Sequence, residues 1–291
     1  MRAPSSPALL ATEVRETARE RGALLIMSDF DGTLAPIANT PSEARLAPPA
    51  RKVLARLATA PGVGLAVISG RDLPDIKTRM DLPDIIHAGC HGLVIEGPGM
   101  GFTHLQAAEC RQILKGLATD LTEKLSGLRG VEVEPKEFGV AVHYRRAYPS
   151  DLAEVFFQVE EAREAHAPHL TTRPGKKVLE LVPNVPWNKG ECALWIRDRW
   201  ARTQSLDPAV VYLGDDETDE SAFQALRGKA LTVRVGSGHR GSRAARWVTD
   251  VSAVHRFLAA LAPPEGVEGE TREAPRAATG EPTRGPAVES A

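Results

Sequence analysis

Two aspartates separated by one residue, Asp29 and Asp31, stand in the stretch Ser28-Asp29-Phe30-Asp31-Gly32-Thr33-Leu34, directly after the apolar run Ala23–Met27. A short apolar run of this kind predicts a buried parallel strand. Side chains along an extended chain alternate, which sends Asp29 and Asp31 to one side and Phe30 to the other. Gly32 and Thr33 break the strand and leave two carboxylates at its carboxyl end, where open α/β sheets place their ligands. Two like charges this close call for a proton or a cation to compensate them. The same residue types also cap turns and helices, so the pair alone leaves a structural reading open.

A second acidic cluster stands in the same relation to a strand. Val210–Gly214 leads into Asp215, Asp216, Glu217, Thr218 and Asp219, where Asp216 or Thr218 also fits an ordinary helix cap. Asp29, Asp31 and Asp215 on neighbouring strand ends would make an all-oxygen anionic site. Hard oxygen donors suit Mg²⁺, which keeps several waters and meets phosphate oxygens. Ser69, after the run Val63–Ile68, offers a hydroxyl and nearby amides, and Lys189 at a predicted helix start offers a positive charge. Both suit a phosphate held beside the carboxylates. Taken singly, Ser69-Gly70 reads as a turn and Lys189 as a solvated helix residue.

The elements that must position these groups alternate. A strand over 23–27 is followed by a helix opening at Pro48-Pro49, a strand over 63–68, a short helix over 72–79 and a strand near 85–88, with 93–96 extended. That order predicts an α/β fold with a doubly wound, Rossmann-like parallel sheet. The pattern then changes: one long helix over 107–125, half-exposed antiparallel strands over 131–134 and 139–145, a helix over 151–167, and strands over 170–173 and 177–182. Pro183 and Pro186 mark the return to a helix over 189–202, strands over 210–214 and 231–235, and helices over 221–226 and 251–261. The expected organisation is a leading helix at 1–22, a core from 23–104 and 184–262, an inserted α/β cap at 105–183, and a disordered tail at 263–291.

Composition narrows the partners. The 291 residues are 42% hydrophobic and 25% charged, and 36 basic against 38 acidic side chains give a net charge of −2. There is no excess charge for nucleic acid or an anionic membrane surface, and no apolar stretch long enough for a bilayer. Ala8–Ala11 is too short for a signal-peptide core. Cys90, Cys110 and Cys192 are odd in number and lack CxxC spacing. They fit a reduced, cytoplasmic protein without structural zinc. Oligomeric state stays open.

The ordered set DxDGT, Ser69, Lys189 and GDDxTD resembles the haloacid dehalogenase superfamily of aspartate-dependent phosphatases. The resemblance implies that Asp29 attacks phosphorus and that Asp31 protonates the leaving alcohol and then activates water. It implies Mg²⁺ held by Asp29, the backbone carbonyl of Asp31, and Asp215, with Asp216 and Asp219 in support, and Ser69 and Lys189 balancing phosphate charge. Ser69-Gly70-Arg71, His91-Gly92 with Glu96, Val142–Arg145 and Gly175–Glu180 further resemble trehalose-6-phosphate phosphatases. By that resemblance Lys176 and Glu180 hydrogen-bond sugar hydroxyls, joined by Glu134 and Lys136, and Arg71, Arg145, His91 and Gly92 lie near the substrate. Lys176 and Glu180, four apart on an expected strand, would share a face; as charges alone they also read as a solvated strand edge. The resemblance implies a small sugar phosphate as substrate. Other phosphatases of the class (for sucrose phosphate or glucosyl- or mannosyl-phosphoglycerate) and an inactive sugar-phosphate sensor remain the alternatives.

Overall fold

Runs of apolar residues with helical and strand periods build two layered units in a computed structural model, which describes residues 3–38, 40, 43–175, 177–237 and 241–264. Among these residues one unit runs up to Phe102 and resumes at Trp187, and the other is Thr103–Pro186. The chain opens with α1 (Pro7–Arg21), β1 (Leu24–Ser28), α2 (Pro48–Thr59), β2 (Val63–Ile68), α3 (Leu73–Met80), β3 (Ile86–Gly89), β4 (Val94–Gly97) and β5 (Met100–Thr103). The second unit holds α4 (Leu105–Glu109), α5 (Arg111–Leu125), β6 (Glu132–Lys136), β7 (Gly139–His143), α6 (Leu152–Ala165), β8 (Leu170–Gly175) and β9 (Val178–Pro183). The chain then returns through α7 (Lys189–Gln204), β10 (Ala209–Gly214), α8 (Glu220–Ala225), β11 (Leu231–Val235), β12 (Arg246–Val248) and α9 (Val251–Leu261).

The first unit is an eight-stranded sheet in the order β12-β11-β10-β1-β2-β3-β4-β5. Strands β12 to β3 are parallel, and β4 turns back antiparallel to β3. Both β1 and β10 are buried along their whole length, as expected of strands covered on both faces. Cys192, Ile196, Trp200 and Phe223 from α7 and α8 pack on Leu25, Met27, Ala66, Ile68 and Tyr212, while α1 and α2 pack on α9. The predicted doubly wound α/β architecture is therefore present.

The leading helix is integrated with this unit: Arg15 Nη1 donates to Ala260 O at 3.0 Å, and Ser5 N donates to Trp247 O at 2.8 Å. The two points where the chain leaves and re-enters the unit are clipped together. The Phe102 and Trp187 rings stack at 4.8 Å, Phe102 also meets Trp195 at 5.0 Å, and Trp187 Nε1 donates to Gly92 O at 2.9 Å.

The second unit is a four-stranded antiparallel sheet, β6-β7-β9-β8. Leu114, Leu117 and Leu121 of α5 and Val155 and Val159 of α6 pack on its Val140, Val142 and Leu181. The single helix expected over 107–125 is two. Cys110 (φ −74°, ψ −12°) ends α4 with an i→i+3 bond to Ala107 O and begins α5; this tighter closure is what interrupts the α-helical ladder. Strands β5 and β12 were not expected: a Gly/Pro-rich turn obscures one, and the other has only three residues. Residues 265–291, most of the expected tail, lie outside the described residues.

His87 on β3 is 3% exposed, and its Nε2 has no hydrogen-bond partner among the described residues. Burial, helped by the Lys77 charge, pushes its pKa down to about 4. The folded state therefore keeps a neutral ring while the unfolded chain takes up a proton below pH about 6.5. Stability supplied by this site falls as pH drops from about 6.5 towards 4. In urea melts across that window, wild type loses midpoint relative to His87→Gln; parallel curves refute the assignment.

Candidate active site

The strand order places the carboxyl ends of β10, β1 and β2 side by side, at the point where the chain's path through the sheet reverses direction. Asp29 follows β1 immediately, and its N–H donates to Leu213 O of β10 at 2.9 Å. Asp215 follows β10. Between them the chain bends at Gly32, which has φ +82°; a Cβ there would lie 2.2 Å from Asp215 Oδ2. Only glycine lets the loop pass so close to Asp215 with this backbone. Thr33 Oγ1 donates to Asp215 Oδ1 at 3.1 Å and fixes the carboxylate from the same loop.

Lys189 enters from the first turn of α7, whose N-cap Asn188 accepts from Gly190 N and Glu191 N. Gly190 allows α7 to approach α8, since a Cβ would meet Ser221 O at 2.5 Å. Lys189 is 3% exposed, and its Nζ donates to Asp29 Oδ1 at 2.7 Å and to Asp219 Oδ1 at 2.9 Å. Asp29, Asp215 and Asp219 each offer one oxygen, all within 4.8 Å of one another. Two carboxylates thus share one ammonium, with the third beside them.

The electrostatics follow from that count. Burial holds the Asp29 carboxyl well above the usual range; Lys189 opposes this, and Asp219 and Asp215 add to it. Burial and Asp219 push Asp215 up to about 6, against Thr33 and Lys189. Burial alone would lower the Lys189 pKa, but Asp219 and Asp29 overcome it and raise it. The cluster is short of positive charge, and its oxygen-only donors suit a hard cation.

Asp219 and Asp216 part company here. Asp219 is fully buried, and both its oxygens are occupied: Oδ1 by Lys189 and by Tyr212 Oη at 2.8 Å, Oδ2 by Asp215 N at 3.1 Å and Asp216 N at 3.0 Å. It orders the loop more than it offers a cation a vacant oxygen. Asp216 is exposed and caps the 3-10 turn Glu217–Asp219, accepting from Glu217 N at 2.7 Å. This is the capping role that its position after the strand left open.

Asp31 lies on the β2 side. Arg71 holds both its oxygens, Nε to Oδ2 and Nη2 to Oδ1, each at 2.6 Å, and is itself held by Asp75 at 2.9 Å. Arg71, expected near substrate, is thus engaged with Asp31 in this structure. Ser69 is buried, and its Oγ accepts from Arg71 N at 3.2 Å, while His91 N donates to Ser69 O at 2.8 Å. Cys90, His91 and Gly92 all have positive φ (51°, 57° and 92°). The His91 ring lies over Gly70, where a Cβ would come within 2.8 Å of it.

In the second unit, Glu134 pairs across β7 Ala141 to Glu180, which pairs in turn with Arg173. Residues paired in this way share a face of the sheet. Lys136 bonds Glu180, and His143 Nε2 meets Glu134 Oε2 at 2.8 Å. Arg145 is exposed in the turn after β7. Of the two residues expected to share a strand, Glu180 lies on β9, which begins at Val178. Lys176 itself lies outside the described residues.

Thr33, Asp75, Arg173 and Tyr212 were not singled out from the sequence. Only Tyr212 left a signal there, a hydroxyl in an otherwise apolar buried strand, which needs a partner. Replacing Lys189 with Met should cost about 3–5 kcal/mol, because the buried Asp29 and Asp219 lose their shared ammonium. Urea denaturation at pH 7 without divalent cations measures this; an unchanged midpoint refutes it.

Known proteins sharpen the picture. A family model for trehalose-phosphatase matches residues 27–251. The trehalose-phosphate phosphatase of Mycobacterium tuberculosis (strain ATCC 25618 / H37Rv) is 40% identical over 258 residues, 87% of this chain and 63% of that protein. That of Mycobacterium avium (strain 104) is 40% identical over 223 residues, 75% and 56% respectively. The chain therefore spans less than two thirds of the length of these curated relatives. Among solved structures, a trehalose-6-phosphate phosphatase related protein has a TM-score of 0.68 at 25% identity, covering 80% of this chain and 95% of that one. Aspergillus fumigatus trehalose-6-phosphate phosphatase, in crystal form 3, has 0.61 at 26%, covering 90% and 98%. Motif order, sheet order and these matches lead to one assignment: the chain belongs to the trehalose-phosphatase family.

Proposed function

We propose that the protein hydrolyses trehalose 6-phosphate to trehalose and phosphate through an aspartyl-phosphate on Asp29. The observation that carries this reading is the meeting of Asp29, Lys189 and Asp215 at adjacent strand ends. Asp29 Oδ2 receives no hydrogen bond from Lys189, which holds Oδ1, so one oxygen is left to attack. In the first step that oxygen bonds to phosphorus, the bond from phosphorus to the sugar oxygen breaks, and Asp31 gives the departing oxygen a proton. In the second, Asp31 takes a proton from water as the water oxygen bonds to phosphorus and the Asp29 ester breaks. Splitting the displacement in two lowers each barrier.

Asp31 cannot donate while Arg71 occupies both its oxygens as acceptors, so at least one of those contacts opens before the first step. Lys189 and Ser69 stay beside the reacting phosphoryl group and offset its charge. Asp29, Asp215 and the Asp31 carbonyl would hold Mg²⁺, which offsets the phosphate charge and orients it against Asp29. In the second unit Glu134, Lys136 and Glu180 offer donors and acceptors suited to sugar hydroxyls; in the first, Arg71 and His91 stand beside Ser69. A cytoplasmic setting is supported by three buried cysteines that form no disulfide.

Phosphate release from a panel of sugar phosphates, with and without Mg²⁺, tests the proposal. Trehalose 6-phosphate should be turned over fastest, and a chelator should abolish release. Preference for sucrose phosphate or a glucosyl- or mannosyl-phosphoglycerate overturns the substrate, and binding without turnover overturns the reaction. Asp29→Asn should lower kcat by at least about a thousandfold with an unchanged circular dichroism spectrum. Full activity in that variant rules out Asp29 as the attacking group.

A further inference from the structure

Tyr212 is the one polar side chain on β10, and it has no solvent exposure. Its ring packs edge-on to Phe223 at 5.8 Å among the side chains of α7 and α8. From there its hydroxyl reaches Asp219 Oδ1, the oxygen that also receives Lys189 Nζ. A lysine side chain is long and rotatable, so where its ammonium rests depends on its anchors. Lys189 has two, Asp29 and Asp219. Asp29 gives up its charge when it becomes an ester, which leaves Asp219 as the anchor that persists through the reaction. Tyr212 is the only side chain other than Lys189 that donates to Asp219 among the described residues.

We propose that Tyr212 is a positioning residue: by fixing Asp219 it holds Lys189 in place while Asp29 changes from carboxylate to phosphate ester. This rests on the reaction proposed above. Because the contact matters most after Asp29 has reacted, it acts on turnover more than on substrate binding.

Tyr212→Phe removes the hydroxyl and keeps the ring. With trehalose 6-phosphate and Mg²⁺, kcat should fall roughly tenfold or more, the range expected for a lost hydrogen bond to a charged group, while KM moves less than about twofold. Phe223→Leu loosens the same packing but leaves the hydroxyl, so it should lower the thermal midpoint with kcat within about twofold of wild type. In an Asp219→Asn background, adding Tyr212→Phe should change kcat by less than about twofold, because the group it acts through is already altered. The proposal is overturned if Tyr212→Phe keeps wild-type kcat, if it only lowers the midpoint as Phe223→Leu does, or if its loss is undiminished in the Asp219→Asn background. Running p-nitrophenyl phosphate in parallel separates the two readings. Wild-type cleavage of that ester without cleavage of trehalose 6-phosphate sinks the substrate, and the Tyr212 ratio is then read on p-nitrophenyl phosphate. Wild-type cleavage of neither sinks both.

Discussion

Two buried carboxylates and a half-buried third around one buried ammonium set the terms for the rest of the core. Asp29, Asp215 and Asp219 cannot all ionise at ordinary cost with Lys189 as the one cation paired with the cluster among the described residues. The protein therefore surrounds them with donors. Thr33 serves Asp215, two backbone amides and a tyrosine serve Asp219, and the lysine bridges Asp29 to Asp219. What these donors do not offset appears as raised affinity for protons at Asp29 and Asp215. Burial is the larger cause of that affinity, and the negative charge packed alongside, the second cause, equally favours a metal cation.

Such a cluster survives only where the backbone around it is rigid. The ends of β1 and β10 give that rigidity because both strands are paired on each side and buried throughout. Glycine does the rest of the fitting. Gly32 lets one loop graze Asp215, and Gly214 leaves room for Asp219, whose Cγ would lie 2.3 Å from an added Cβ. The motif's glycines thus work as clearances for carboxylates as much as turn formers. A larger residue at either position would push a charged side chain out of its hydrogen bonds.

The sequence made the α/β layering legible because buried parallel strands read as continuous apolar runs, and Val63–Ile68 and Val210–Gly214 are such runs. The polar residues at their ends were legible for the same reason. What separates Asp216 from Asp219 was not: three residues apart in one acidic stretch, they differ only in which of them turns beneath Gly214. The Arg71–Asp31 pair joins residues 40 apart, and Lys136–Glu180 residues 44 apart; such pairs follow from strand order and register, which local pattern does not encode. The division at Cys110 was hidden because the apolar spacing runs on unbroken through Leu125, and periodicity reports which face is buried, not whether the axis bends.

The stacked rings of Phe102 and Trp187 bear on how a protein of this kind changes over time. Everything from Thr103 to Pro186 leaves and returns through two side chains 4.8 Å apart. To the core, those residues are equivalent to a tight loop whose ends are already joined, and closing a longer loop adds cost only logarithmically with its length. Substitutions, insertions or outright exchange of that segment would leave the strand ends bearing Asp29 and Asp215 undisturbed. Sequence change can therefore accumulate in one module while the carboxylate cluster is kept in the other.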